Sequence, residues 1–154
     1  MSETGGDRKI EELATQLRRW LDHQDRRSLP EAFANFPAGA CEWTSCLLGL
    51  WLEKNGEPGF EPFYGFPTEG MHVFLIRDTL IVDITGDQFG WPPVIVTRES
   101  QWHKTLGVFY KLTQGDWRRQ MPLMETGCKS LLRRASSRRT GNLKRREDYS
   151  QSQA

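Results

Sequence analysis

The chain has 154 residues, 37% hydrophobic and 27% charged, with a formal net charge of +1. That is enough for one compact domain with its own core, and the longest apolar run, LLGLWL at 47–52, is far too short to span a bilayer. The small net charge conceals an asymmetry: residues 1–128 carry 13 Lys+Arg and 18 Asp+Glu (−5), and residues 129–154 carry 8 and 2 (+6).

Residues 1–7 are expected to be disordered. Residues 8–24 read as an amphipathic helix, with Ile10, Leu13, Leu17, Trp20 and Leu21 on one stripe and charged residues on the remainder. Pro30 closes that element. A Pro37-Ala-Gly39-Ala bend then leads into a largely buried helix that opens at Cys41 and carries Trp43, Cys46, Leu47, Leu48, Leu50, Trp51 and Leu52. Asn55-Gly56 stops it. Residues 57–70 are rich in Pro and Gly and read as a loop, with 60–65 as an edge strand.

The period then changes. MHVFLIR (71–77) and TLIVDI (79–84) read as a hairpin turning at Arg77-Asp78, and Val94–Thr97 and Leu106–Leu112 as further strands. A short helix is expected within 114–125, and a basic disordered tail over 129–154. The order of elements predicts an α+β fold: N-terminal helices, the second with Cys41 at its start, packed on an antiparallel meander within an 8–128 domain. The three cysteines, Cys41, Cys46 and Cys128, are too few for a disulfide framework, and MSETGGDRKIEE lacks the apolar core of a signal peptide. A reducing cytoplasmic setting with free thiols is the expectation.

A cysteine nucleophile needs an accessible thiolate, a base beside it and a group that orients the base. Cys41 stands at a helix start, where the positive end of the dipole and free N–H groups favour an anion and can hold an oxyanion. His72 heads a central strand, where a core residue would ordinarily be apolar; His23 falls on the charged end of the first helix and His103 in a polar loop. With Arg77-Asp78 as turn residues, residue 72 pairs with residue 83, so His72 and Asp83 share a face at ~5 Å between Cβ atoms. The other face reads Val73, Leu75, Leu80, Val82 and Ile84, an apolar set. Cys46, inside the apolar helix, reads as core. Cys41 and Cys46 are five apart, on different faces of a helix, and no CxxC or HxxxH pair exists, which argues against zinc. No cofactor is implied.

A cysteine opening a buried helix, a histidine heading a strand and an acid on the next strand resemble the papain-like superfamily, which includes papain-type and NlpC/P60 peptidases, transglutaminase-like proteins and deamidases. The stretches FPAGAC…LLGLWL…G, HVFLIRDTLIVDITGDQF and VIVTRES.WH, across residues 30–112, look like a group of small, mostly uncharacterised bacterial and phage proteins. The resemblance implies Cys41 as nucleophile, His72 as general base and acid, Asp83 as its orienter, and a protein or peptide amide as substrate. It also implies a side-chain oxyanion donor, for which Asn35 and Gln88 are the candidates. The sequence departs from the pattern at Glu42 and Trp43, where small residues are usual; an acid beside the thiol opposes thiolate formation unless it faces solvent.

Two other readings stand beside the enzyme. A copy of the fold without activity would serve as a protein-binding module, with Trp91, Trp102 and Trp117 as partner surface. The eight basic residues of 129–146 would suit weak contact with nucleic acid or an anionic surface, although a solvated tail fits a segment without aromatic platforms better.

Overall fold

A computed structural model of the chain describes residues 5–151, with side chains up to residue 137. It is α+β. Helices α1 (Gly5–Asp22) and α2 (Cys41–Lys54) precede strands β1 (Glu61–Gly65), β2 (His72–Arg77), β3 (Leu80–Asp83) and β4 (Ile95–Thr97). Helix α3 (Gln101–Lys104), strand β5 (Tyr110–Lys111) and helices α4 (Trp117–Gln120) and α5 (Pro122–Gln151) follow. The sheet is antiparallel throughout, in the order β4-β3-β2-β1-β5.

The apolar stripe of α1 does what its spacing demands: Ile10, Leu13, Ala14, Leu17 and Leu21 are buried. The helix starts earlier than expected, at Gly5, because Asp7 occupies its first turn and pairs with Arg98 at 2.9 Å. Helix α2 is buried almost all round, and Trp51 Nε1 donates to the Leu13 carbonyl at 2.9 Å, tying it to α1. Gly39 makes the bend before α2 with φ of +71°, a conformation that favours glycine. One face of the sheet, with Leu75, Leu80, Val82 and Ile84, closes this main core.

The opposite sheet face carries a second, smaller core of Phe74, Ile81, Trp102 and Leu106. Leu106 turns inward against Gly65, where a Cβ would stand 2.8 Å from it. That inward turn is why the strand expected over Leu106–Leu112 shrinks to Tyr110–Lys111. The β2–β3 hairpin also differs from expectation. Its turn residues are Asp78 and Thr79, with Asp78 at φ of +55°, and Leu75 faces Val82, Ile76 faces Ile81, Arg77 faces Leu80. Position sums rise by two relative to the expected register, so His72 and Asp83 are no longer directly opposite. An even shift preserves the alternation, so both remain on one face as diagonal neighbours.

The expected helix within 114–125 is divided between α4 and α5, and Pro122 opens the latter, where its missing N–H costs nothing. The largest correction concerns 129–154. Residues 129–151 continue α5, which packs along α2, in place of the expected start of a disordered tail, and 152–154 lie outside the described residues. Cys128, Leu131, Leu132 and Ala135 recur at i, i+3, i+4 and i+7, a stripe set among charges; Cys128, Leu131 and Ala135 are buried in the main core, with Leu132 packed against it. Close approach depends on Gly127, whose absent Cβ would stand 2.6 Å from the Trp43 ring. The basic residues 138–146, and with them most of the expected anionic-surface contact, lie outside the described side chains.

Inside α2, the Thr44 hydroxyl is fully buried and has no hydrogen-bond partner among the described residues. Thr44→Val keeps the shape and removes that hydroxyl, so a gain of about 1 kcal/mol is expected in chemical denaturation, a buried unpaired polar group costing ~1–3 kcal/mol. A loss of stability would show that the hydroxyl is satisfied in solution.

Candidate active site

Helix α2 runs along β2 so that Ser45 Oγ donates to the Val73 carbonyl at 3.0 Å, and the Cys41 thiol faces the Met71 carbonyl at 4.0 Å. Cys41 is therefore the first residue of a 14-residue helix and lies beside the start of β2, where His72 stands. The residue before it, Ala40, offers no side-chain cap, and the first intrahelical bond runs from Thr44 N–H to the Ala40 carbonyl. The N–H groups of the first turn thus remain available to an anion.

His72 is completely buried. Its ring is stacked on Phe74, with Phe89 at its edge and Trp102 tilted against it at 5.2 Å between centroids. Its Nε2 lies 2.7 Å from Asp83 Oδ2. A buried carboxylate can only accept, so Nε2 carries the hydrogen, and Nδ1 is the ring nitrogen that the carboxylate does not use. Cys41 is near enough to act on the charge of this imidazole. Burial opposes the charged ring, but the hydrogen bond to Asp83, the contact with Cys41 and the negative charge of both outweigh it and push the His72 pKa up to about 9.

Asp83 is also fully buried, which disfavours its charge, yet hydrogen bonds from His103 and His72 hold it well below the usual carboxylate range. Its other oxygen accepts from the Thr85 N–H at 2.9 Å and from the Thr85 hydroxyl. The register shift described above brings Asp83 Oδ2 diagonally onto His72 and leaves room for a second imidazole at the same oxygen.

That second ring is His103, which the sequence places in a polar loop and the structure buries completely. Its Nε2 lies 3.0 Å from Asp83 Oδ2. Trp102 and Leu106 draw α3 under the sheet, and His103 follows on the same turn. The one local signal was Ser100, three residues before His103, in the pattern of a helix N-cap; it accepts from the His103 N–H at 3.1 Å.

Gln88 comes to the site, carried by a 3-10 turn over Gly86–Phe89, with its amide nitrogen 3.3 Å from His72 Nδ1. Asn35 is exposed in the turn before α2, and among the described residues no side-chain hydrogen bond joins it to Cys41, His72 or Asp83. Glu42 is half-buried, and burial raises its carboxyl pKa, which weakens its opposition to a neighbouring thiolate. Cys46 and Cys128 are core residues, and burial pushes the Cys128 thiol up to about 12. Of the three tryptophans considered for a partner surface, Trp102 and Trp117 are buried and Trp91 is open, stacked on Trp102.

His72 Nε2, Asp83 Oδ2 and His103 Nε2 lie within 4.8 Å of one another, a grouping that metal ligands also adopt. Here both nitrogens direct N–H bonds at the shared oxygen, and Thr85 and Ser100 complete the set. The donor set is satisfied by its own hydrogen bonds, and it fits them better than an ion requiring lone pairs from both rings. Among the described residues no helix is long and apolar enough to cross a membrane. Comparison of the chain with protein-family models, curated proteins and solved structures finds no match.

Proposed function

We propose that the protein is a cysteine-dependent hydrolase or acyltransferase acting on an amide bond, of the papain-like kind that its sequence resembles. The observation that carries the reading is the Cys41 thiol at the start of α2, against the Met71 carbonyl and so beside His72, whose Nε2 is held by the buried Asp83 carboxylate at 2.7 Å.

The chemistry follows from those atoms. His72 Nδ1 takes the thiol proton, and the Cys41 sulfur attacks the amide carbonyl carbon. The oxyanion is held by N–H groups of the first turn of α2, uncapped by Ala40. On collapse the C–N bond breaks, and the Nδ1 proton goes to the leaving amine. Water or a second amine then attacks the thioester, giving its proton to Nδ1 and restoring the thiol. Asp83 stays ionised throughout. Gln88, beside Nδ1, is placed to orient the ring or the substrate carbonyl. Hydrolysis, deamidation and transamidation share these steps: the first two use water and differ in the amide cleaved, and transamidation uses an amine as acceptor.

The test is alkylation by iodoacetamide, read by peptide mass, on the full chain. At pH 6.5 a free cysteine is ~1% thiolate. Cys41 is expected to label faster than a free cysteine peptide there, and His72→Ala is expected to remove the advantage. Labelling of Cys41 no faster than the peptide would exclude a thiolate–imidazolium pair and favour a binding module on the same fold.

A further inference from the structure

The steps above use one of the two imidazoles on Asp83. The other is held as firmly. Ser100 Oγ accepts from the backbone N–H of His103 as the N-cap of α3, and its buried hydroxyl hydrogen needs an acceptor, which His103 Nδ1 supplies at 2.6 Å. With Nδ1 accepting, the His103 hydrogen is on Nε2 and aimed at Asp83 Oδ2. The ring is wedged between the edge of Phe74 at 4.6 Å and Trp102 at 4.5 Å between centroids, and both Ser100 and His103 are buried, so water does not compete for these bonds.

We propose that His103 is a positioning residue that tempers the catalytic base: by donating to the same carboxylate oxygen as His72, it takes a share of the Asp83 charge and limits how strongly His72 holds its proton. The proposal rests on the hydrolase reading for its purpose, since a general acid that gives its proton to a leaving amine works best with a pKa near the working pH. The geometry itself does not depend on that reading.

The neighbours are few. His72 faces Cys41 from α2, Asp83 from β3 and Gln88 from the 3-10 turn, with Phe74, Phe89 and Trp102 as apolar walls. Asp83 faces His72, His103 and Thr85. Asp83 is thus the acceptor that both rings share. A hydrogen bond to a charged acid favours the charged form and weakens it as a base toward other partners. Taking the His103 N–H away therefore strengthens the pull of Asp83 on His72.

The experiment follows the His72 ring by nitrogen-15 NMR from pH 5 to 11 in the full chain, in wild type, His103→Leu and His103→Gln. Glutamine places an amide N–H near the position of Nε2; leucine provides none. His103→Leu is expected to raise the pH at which His72 loses its proton by about one unit, tenfold in the acid constant, and His103→Gln to leave it within about 0.3 unit. A downward shift or no shift in His103→Leu, or an equal shift in both variants, would overturn the proposal. A purely structural role would lower the melting temperature without raising the His72 titration. Should His103→Leu fail to fold, the wild-type spectra decide: His103 is expected with hydrogen on Nε2 and Nδ1 accepting at pH 8, and the opposite tautomer overturns the assignment. Failure of the hydrolase reading shows elsewhere, in wild-type Cys41 that alkylates like a free thiol while the His72 titration still responds to His103.

Discussion

Asp83→Ala is expected to cost about 3–5 kcal/mol, the range for removing one partner from a buried charged network. Two buried imidazoles and the Thr85 N–H would lose their acceptor at once, on the buried side of the rings. In a chain of this size that corresponds to a melting temperature lower by on the order of 10 °C. The difference between wild type and variant should also depend on pH. Asp83 is held below its ordinary value, so its contribution is fully present above the unfolded carboxyl pKa of ~3.9 and is lost as pH falls through the lower folded value. His72 is raised, so the same contact, seen from its other end, is complete below ~6.5 and is lost as pH rises through about 9. The gap in melting temperature should therefore be widest between about pH 4 and 6.5 and narrow toward pH 9 and above. A loss below about 1 kcal/mol, or a gap flat across that range, would mean that Asp83 does not carry the network.

Arg18→Met is expected to cost about 3 kcal/mol, read by urea or thermal denaturation. Arg18 projects from α1 and is 7% exposed. It donates to both oxygens of Asp87 at 2.7 Å, to the Ile84 carbonyl at 2.8 Å and to Asp22 at 3.0 Å, and its guanidinium lies 4.9 Å from the centre of the Phe36 ring. One side chain thereby joins α1 to the end of β3 and to the 3-10 turn that carries Gln88. Methionine retains the apolar stem but leaves the Ile84 carbonyl and Asp87 without their donor. Asp87 is 29% exposed at its side chain and can recover water, which keeps the cost near the lower end of the buried range. The released turn should also loosen Gln88 beside His72, visible as a changed His72 ring-nitrogen signal. A cost under 1 kcal/mol with an unchanged signal would show that the turn is held by its own backbone.

Several elements could be read from local pattern because each has a local physical cause. The stripe of α1 reflects burial of every third or fourth residue, the apolar run of α2 burial almost all round, the alternation of β2 and β3 two sheet faces, and the Gly39 bend and Asn55-Gly56 stop positive φ at glycine. The pairing of His72 with Asp83 on one face survived an error in the turn, since a shift of two positions keeps the alternation and a shift of one would have reversed it. The stripe of α5 escaped notice because Cys128, Leu131, Leu132 and Ala135 stand among basic residues whose average polarity masks a four-residue apolar face.

What the amino-acid order determined by itself is therefore the α+β sequence of elements, the thiol at a helix start, and an imidazole and a carboxylate on a common sheet face. The tertiary structure alone decided the rest: that Arg18, one of many charges on α1, turns inward; that α5 covers α2; that Gln88 comes to His72; and that His103 reaches Asp83 from 20 residues away. Those contacts join segments distant in the chain, and their energy comes from desolvated hydrogen bonds and shape fit between packed elements. The hydrogen bonds leave no periodic trace in the sequence.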